Sequence, residues 1–146
     1  MKILEVLTPL RKRGNLGERA AVKFLRRAGY KILDRNAVVD RVGEIDAVAK
    51  KDGTLVIVEV KTRSRDTLKV WERPADAVTH EKRRRLLKAG SIYHRKRHGD
   101  LKLRFDVIEV YTDILRGKER AVEIKHIIGA FDGAELKRTA KGFYKH

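Results

Sequence analysis

The sequence contains no cysteine, two prolines, one methionine and one tryptophan, and aromatic residues make up only 6% of its 146 positions. The lack of cysteine excludes a disulfide scaffold, a thiolate zinc site and a cysteine nucleophile, and it is compatible with a reducing compartment. No apolar run approaches the roughly 20 residues that span a bilayer, so no membrane association is expected. The opening stretch MKILEVLTPLRKR lacks the order of a secretory signal, because its basic run follows a short apolar segment interrupted by Glu5 and Pro9. The expectation is a soluble, cytoplasmic protein. Acidic residues are scarce beside basic ones: 20 Asp and Glu against 36 Lys and Arg leave a net charge of +16 and a pI near 10.4. Such an excess favours a polyanionic partner, because each phosphate neutralised releases condensed counterions. DNA and RNA, the latter including ribosomal company, satisfy this equally well. A hot habitat accounts for many charges but not for their sign.

A chain of 146 residues is one domain by length, and at that size it buries enough surface to fold without a disulfide or a structural metal. Residues 14–29 have helical periodicity, with Ala21, Val22, Phe24, Leu25 and Ala28 on the apolar face, Asn15 as N-cap and Gly29 as stop. Residues 30–39 and 43–51 read as strands. Asp52-Gly53 is a two-residue hairpin signal, and the run TLVIVEVKT over 54–62 suits a strand buried on both faces. A polar loop at 63–75 carries Trp71, and residues 79–98 form a second helix stopped by Gly99. Strands follow at about 101–112 and 121–128, and the last 15 or so residues are basic. The order αβββαβ(β) predicts a single α/β domain on a mixed sheet flanked by helices, with its core at about 14–131 and a basic tail at 132–146.

The hairpin fixes a register. If Asp52 and Gly53 are the loop residues, Lys51 faces Thr54, Asp46 faces Glu59 and Glu44 faces Lys61. Side chains alternate with period two, so these four project from one sheet face. Paired Cβ atoms lie roughly 4.5–5.5 Å apart, and like charges so placed destabilise a sheet. A hard divalent cation resolves the conflict, since Mg²⁺ takes a few carboxylate oxygens and keeps several waters. Lys61 then lies beside the metal, where it orients water or offsets charge on a phosphate. The plainer reading is an exposed hairpin end with a Glu44–Lys61 surface pair. Glu18 falls between Val22 and Leu25, inside the apolar face of the first helix. It is either a third ligand or a first-turn acid favoured by the helix dipole.

Asp46 followed by Glu59-Val60-Lys61, with Glu18 upstream on a helix, resembles the PD-(D/E)xK nuclease superfamily, which includes restriction endonucleases and archaeal Holliday-junction resolvases. More closely, GERAAVKFLRRAGYKILDRN, GEIDAVAKKDGTLVIVEVKTR and RFDVIEV resemble the small bacterial YraN-like family, from about residue 14 to 131. Ile45 stands where the superfamily name has proline. The 64–74 loop SRDTLKVWERP also departs from the glycine-bearing loop expected of close relatives. The resemblance implies a restriction endonuclease-like αβββαβ core and Mg²⁺- or Mn²⁺-dependent hydrolysis of phosphodiesters. It assigns Glu18, Asp46, Glu59 and the Val60 carbonyl to the metal, and Lys61 to catalysis.

Lys82 shares a helix stripe with Leu86, Ala89 and Tyr93, which turns it either towards this site or along the surface as a snorkelling stem. Arg83, Arg84 and Arg85 on that helix, with Arg63 and Arg65 after the Glu-Val-Lys strand, are candidate phosphate contacts. The leading expectation is an endonuclease acting on duplex or structured DNA, branched or recombination intermediates among them, and working as a homodimer because two strands need two sites. The rivals are a nucleic-acid-binding protein with a vestigial site and an RNA- or ribosome-associated protein.

Overall fold

The computed structural model describes residues 16–65 and 79–132. Helix α1 (Leu16–Arg27) buries Ala21, Val22 and Leu25. It ends as a Schellman motif: Gly29, at φ 91°, donates to Arg26 O at 3.1 Å, and Tyr30 donates to Leu25 O at 2.9 Å. Lys51 completes the cap, its ammonium donating to the Ala28 carbonyl at 2.7 Å. Asn15, the expected N-cap, lies outside the described residues.

Strands β1 (Lys31–Val39), β2 (Gly43–Lys51) and β3 (Thr54–Ser64) form an antiparallel meander. Helix α2 (His80–Arg97), capped by the Thr79 side chain accepting from Lys82 N–H, carries the chain back over the sheet. That crossover lets β4 (Lys102–Leu115) pair with β3 in parallel over Thr54–Ser64, and β5 (Lys118–Phe131) closes the sheet antiparallel to β4. The described order is αβββαββ on a five-stranded mixed sheet in sequence order β1 to β5.

The two helices cover opposite faces. Ala21 and Leu25 of α1 cluster with Ala47, Ala49, Val56, Val58, Ile108 and Val110. Leu86, Leu87, Ala89 and Tyr93 of α2 cluster with Ile45, Val48, Leu55, Ile57, Phe105 and Val107. Leu55 to Val58 are fully buried, as the apolar run of β3 predicts for a central strand. Among the described residues no helix is long and apolar enough to cross a membrane.

The strands outrun their sequence-based limits. The expected loop from residue 63 begins inside β3, and β4 and β5 meet at a tight turn where Arg116 and Gly117 have φ 51° and 75°. Asp52 and Gly53 show the same paired positive φ, 50° and 72°, that a two-residue type I′ turn requires. Arg-Gly carries glycine but not the Asn or Asp that flags such turns, so the outer half of the second hairpin escapes sequence reading. Trp71 and the 133–146 tail lie outside the described residues.

Gly17 ties α1 to the sheet. A Cβ there would meet Thr62 Oγ1 at 1.6 Å and Thr62 Cβ at 2.8 Å, so only glycine lets the first helical turn sit on β3 one residue beyond Lys61. Gly17→Ala should cost about 1–3 kcal/mol through overpacking and lower the melting temperature by several degrees. Thermal unfolding checks this; a variant that melts with the parent would show that α1 does not make the contact.

Candidate active site

The β2–β3 hairpin keeps the expected register from Lys51↔Thr54 to Ala47↔Val58 and then parts. Hydrogen-bonded pairs alternate along an antiparallel ladder, so the next such pair after Ala47↔Val58 would join Val60 to Ile45. Instead the Val60 N–H donates to Asp46 Oδ2 at 2.8 Å. Alternation breaks at the same point: Ala47 faces α1 while Ile45 packs on the α2 side with Ala37. On β1, Asn36 at φ 51° falls between the Arg35↔Ala47 and Ala37↔Ile45 partners, opposite Asp46. Asp46 therefore stands in the gap between β2 and β3, where its carboxylate replaces a backbone partner.

Around that gap the charged residues gather. Asp46 and Glu59 line a cavity of about 350 Å³ with Glu44, Lys82, Arg85 and Leu86. Lys61 Nζ lies 3.3 Å from Glu59 Oε1, both side chains being mostly buried. Neither expected pair beyond Ala47↔Val58, Asp46 facing Glu59 or Glu44 facing Lys61, forms in the ladder, although the Asp46 and Glu59 carboxyls still meet in a side-chain hydrogen bond. Glu44 pairs with Val38 of β1 and is exposed at the rim, while Lys61 lies beside Glu109 of β4, because the strands diverge before the register reaches that far. Glu18 approaches from α1. Its Oε2 is buried with no hydrogen-bond partner, and its carboxyl feels Asp46 and Glu44 as well as a hydrogen bond from Asn36. Among the described residues no three acidic or histidine side chains close into a metal cage of their own.

The electrostatics are strained in both signs. Burial, and next the charge of Asp46 beside it, push the Glu59 carboxyl from 4.5 up to about 7 against the opposing pull of Lys61. Burial and the Asp46 charge likewise raise Glu18. Lys82 is drawn below the usual lysine range, chiefly by the charge of Lys61 and the hydrogen bond between the two amines. Two acids that repel thus adjoin two amines that repel.

The other candidate contacts divide. Lys82 is in the cavity and Arg85 on its rim, held by Glu81 at 2.8 Å. Arg84 lines a second, neighbouring cavity. Arg83 stacks on the Phe131 ring at 4.9 Å, a packing position. Arg65 pairs with Glu123 of β5, and Arg63 is exposed at the end of β3.

Asp106, whose place between Phe105 and Val107 in a strand marks it from the sequence as structural, is buried; it accepts from Arg104 Nε and the Gly129 N–H, each at 2.9 Å, and lies 2.7 Å from His126 Nε2. Burial pushes this carboxyl up, but the bonds from His126, Arg104 and Gly129 outweigh it and hold it below the usual range. The Arg104–Asp106 spacing of two was a legible signal; the His126 partner needed the β4–β5 register. This network braces β4 and β5 under α1, away from the cavity.

A mixed-sheet α/β domain whose central strands part around an acid pair and a lysine pair is the class that fold and site define. The model of a family described as "Uncharacterised protein family UPF0102" matches residues 17–110, a span that includes Glu18, Asp46, Glu59, Lys61 and Lys82. A UPF0102 protein of Caldicellulosiruptor saccharolyticus is 40% identical over 122 residues, 83% of this chain and 98% of its own length. One from Myxococcus xanthus is 43% identical over 125 residues, 84% and 90% of the respective lengths. Another, from Symbiobacterium thermophilum, is 45% identical over 101 residues, 68% and 82%. The chain belongs to the UPF0102 family, the YraN-like family that its sequence resembles.

A raised carboxyl carries a definite pH dependence. The folded protein holds a proton on Glu59 up to about pH 7, whereas the unfolded chain releases it near 4.5. The native state binds more protons in that window, so its stability falls as pH rises through it. In chelator-treated buffer the melting temperature should decline from pH 5 towards 7.5, and Glu59→Gln should flatten the decline. Asp46→Asn should shift it to lower pH. A parent curve matching Glu59→Gln throughout would mean that the Glu59 carboxyl is not raised.

Proposed function

We propose that this protein is a divalent-metal-dependent DNA endonuclease. The observation that carries the reading is the cavity at the parting of β2 and β3, where Asp46 and Glu59 oppose one another beside Lys61 and Lys82. Adjacent like-charge pairs of opposite sign match a metal ion bound to a phosphate. The cation relieves the acids and the phosphate relieves the amines. The net charge of +16 supplies the long-range attraction for such a polyanion.

The residues present fit Mg²⁺ or Mn²⁺. All the donors are hard oxygens, and the buried, unpartnered Oε2 of Glu18 faces the same acid group. Mg²⁺ binds through a few carboxylates, water and substrate phosphate oxygens rather than a dedicated protein cage. Asp46 and Glu59 would hold the metal, with Glu18 a third donor and the Val60 carbonyl added by the family resemblance. When bound, the metal lowers the pKa of a coordinated water and offsets charge on the phosphate. The chain's own groups do the rest. Asp46 is oriented by the Val60 N–H. Lys61, anchored on Glu59, holds its protons towards the phosphoryl oxygens as water attacks phosphorus and the P–O ester bond breaks. Leu86 walls the cavity on the α2 side.

The test is cleavage of linear, nicked, branched and single-stranded DNA with Mn²⁺ or chelator. Lys61→Ala and Glu59→Ala should abolish metal-dependent cutting, while DNA binding, which rests on the separate positive surface, largely survives. If both variants cut as the parent does, the site lies elsewhere.

A further inference from the structure

Two cavities adjoin on the α2 side of the sheet. The one that holds the acids shares Val42 and Arg85 with a second of about 320 Å³, lined by Arg41, Val42, Glu81, Arg84, Arg85 and Lys88. Four of these six residues are cationic. The one carboxylate, Glu81, is engaged with Arg85 at 2.8 Å. Lys88 lies one helical turn beyond the adjacent Arg84 and Arg85 on the exposed side of α2, and none of the chemistry at Asp46 and Glu59 uses Arg41, Arg84 or Lys88. Such a cluster of like charges is relieved by an anion.

The β1–β2 turn places the fourth cation, Arg41, at this cavity. It is closed by the Val42 N–H donating to Val39 O at 3.0 Å, and Arg41 sits there at φ 58°. Glycine adopts that conformation freely and asparagine tolerates it; arginine is strained in it. Arg116 holds the same conformation in the β4–β5 turn at φ 51°, so the strain by itself marks no ligand. At Arg41 it comes with a guanidinium at the edge of the cationic cavity.

We propose that the second cavity seats a neighbouring backbone phosphate of the same DNA strand that is cut at Asp46, Glu59 and Lys61. The strand then runs from the acid pair across Val42 and along the first two turns of α2. This placement rests on the endonuclease reading and extends it with a path for the substrate.

The experiment compares the parent with the Arg41→Gly/Lys88→Gln double variant, using fluorescence anisotropy on a fluorescein-labelled duplex in chelator-treated buffer across a salt series. The double variant should melt no lower than the parent, because glycine relieves the strained turn. Its affinity should fall by about tenfold, the worth of one charge-assisted phosphate contact. The slope of log affinity against log salt should shrink by about one to two. Single-turnover cleavage of saturated DNA should keep the parent rate. A duplex with one neutral methylphosphonate beside the cut position should weaken the parent by a similar factor and the double variant no further.

Unchanged affinity and salt slope in the double variant would overturn the proposal. So would equal, additive losses from the methylphosphonate in both proteins, or a loss confined to an RNA hairpin of the same sequence. Should the double variant melt early, Lys88→Gln alone repeats the measurement at an exposed helical position. Failure of the endonuclease reading is seen separately, as a parent that does not cut or a Lys61→Ala variant that still does; the binding comparison judges the second cavity in either case.

Discussion

The Val60 N–H, lacking its place in the β2–β3 ladder, is taken by the carboxylate of Asp46 at 2.8 Å. Much of the site follows from this one bond. A buried peptide donor left without a partner is costly, so the strands can part only where a side chain satisfies the freed group. Asp46 does so, and its carboxylate also meets Glu59 in a side-chain hydrogen bond. The parting in turn opens the cavity, sets Glu59 against Asp46 and lets Glu18 come in from the opposite helix. Asn36, with its left-handed backbone on β1, absorbs the twist on the other side.

The charges gathered there are unstable partners until something joins them. Glu59 retains a proton to about pH 7 because burial, and next the neighbouring Asp46, disfavour its ionised form, and Lys82 is pulled down by Lys61. Neither strain helps the fold. Perturbed groups of opposite sign, side by side in a cleft between rigid strands and a helix, are typical of sites that store such strain for a ligand. The Asp106 network shows the contrasting arrangement. There a buried acid is fully satisfied by Arg104, His126 and the Gly129 N–H, and its carboxyl is held low rather than high.

Legibility followed how local the signal was. Asp52-Gly53 declared its turn, and counting from it reproduces the observed pairing as far as Ala47↔Val58. Counting further failed as a register for Asp46 and Glu59 and for Glu44 and Lys61, because a register assumes an unbroken ladder and nothing in the letters announces that Asp46 will displace a backbone partner. Glu18 stood out because a carboxylate interrupted an apolar helical stripe. Gly17 beside it was silent, since a close approach to Thr62 is a tertiary fact. Arg41 was equally silent, an ordinary charge in a turn until its φ of 58° is known. On α2 the run Arg83-Arg84-Arg85 looked uniform, yet helical geometry sends its members to three places: the Phe131 ring, the second cavity and the boundary between the two cavities.

The parallel seam between β3 and β4 has a kinetic meaning. The β2–β3 and β4–β5 hairpins each close through two residues, so both form quickly and locally. The seam joins Thr54 to Lys102 and Ser64 to Thr112, and it can zip only after the long crossover through α2 has been ordered. Asp46, Glu59 and Lys61 therefore meet early, within a nascent hairpin, whereas Lys82 and Arg85 arrive with the crossover at the slow step. Sequence separation thus assigns the acid half of the site to the local, fast-closing contacts and its cationic wall to the long-range ones.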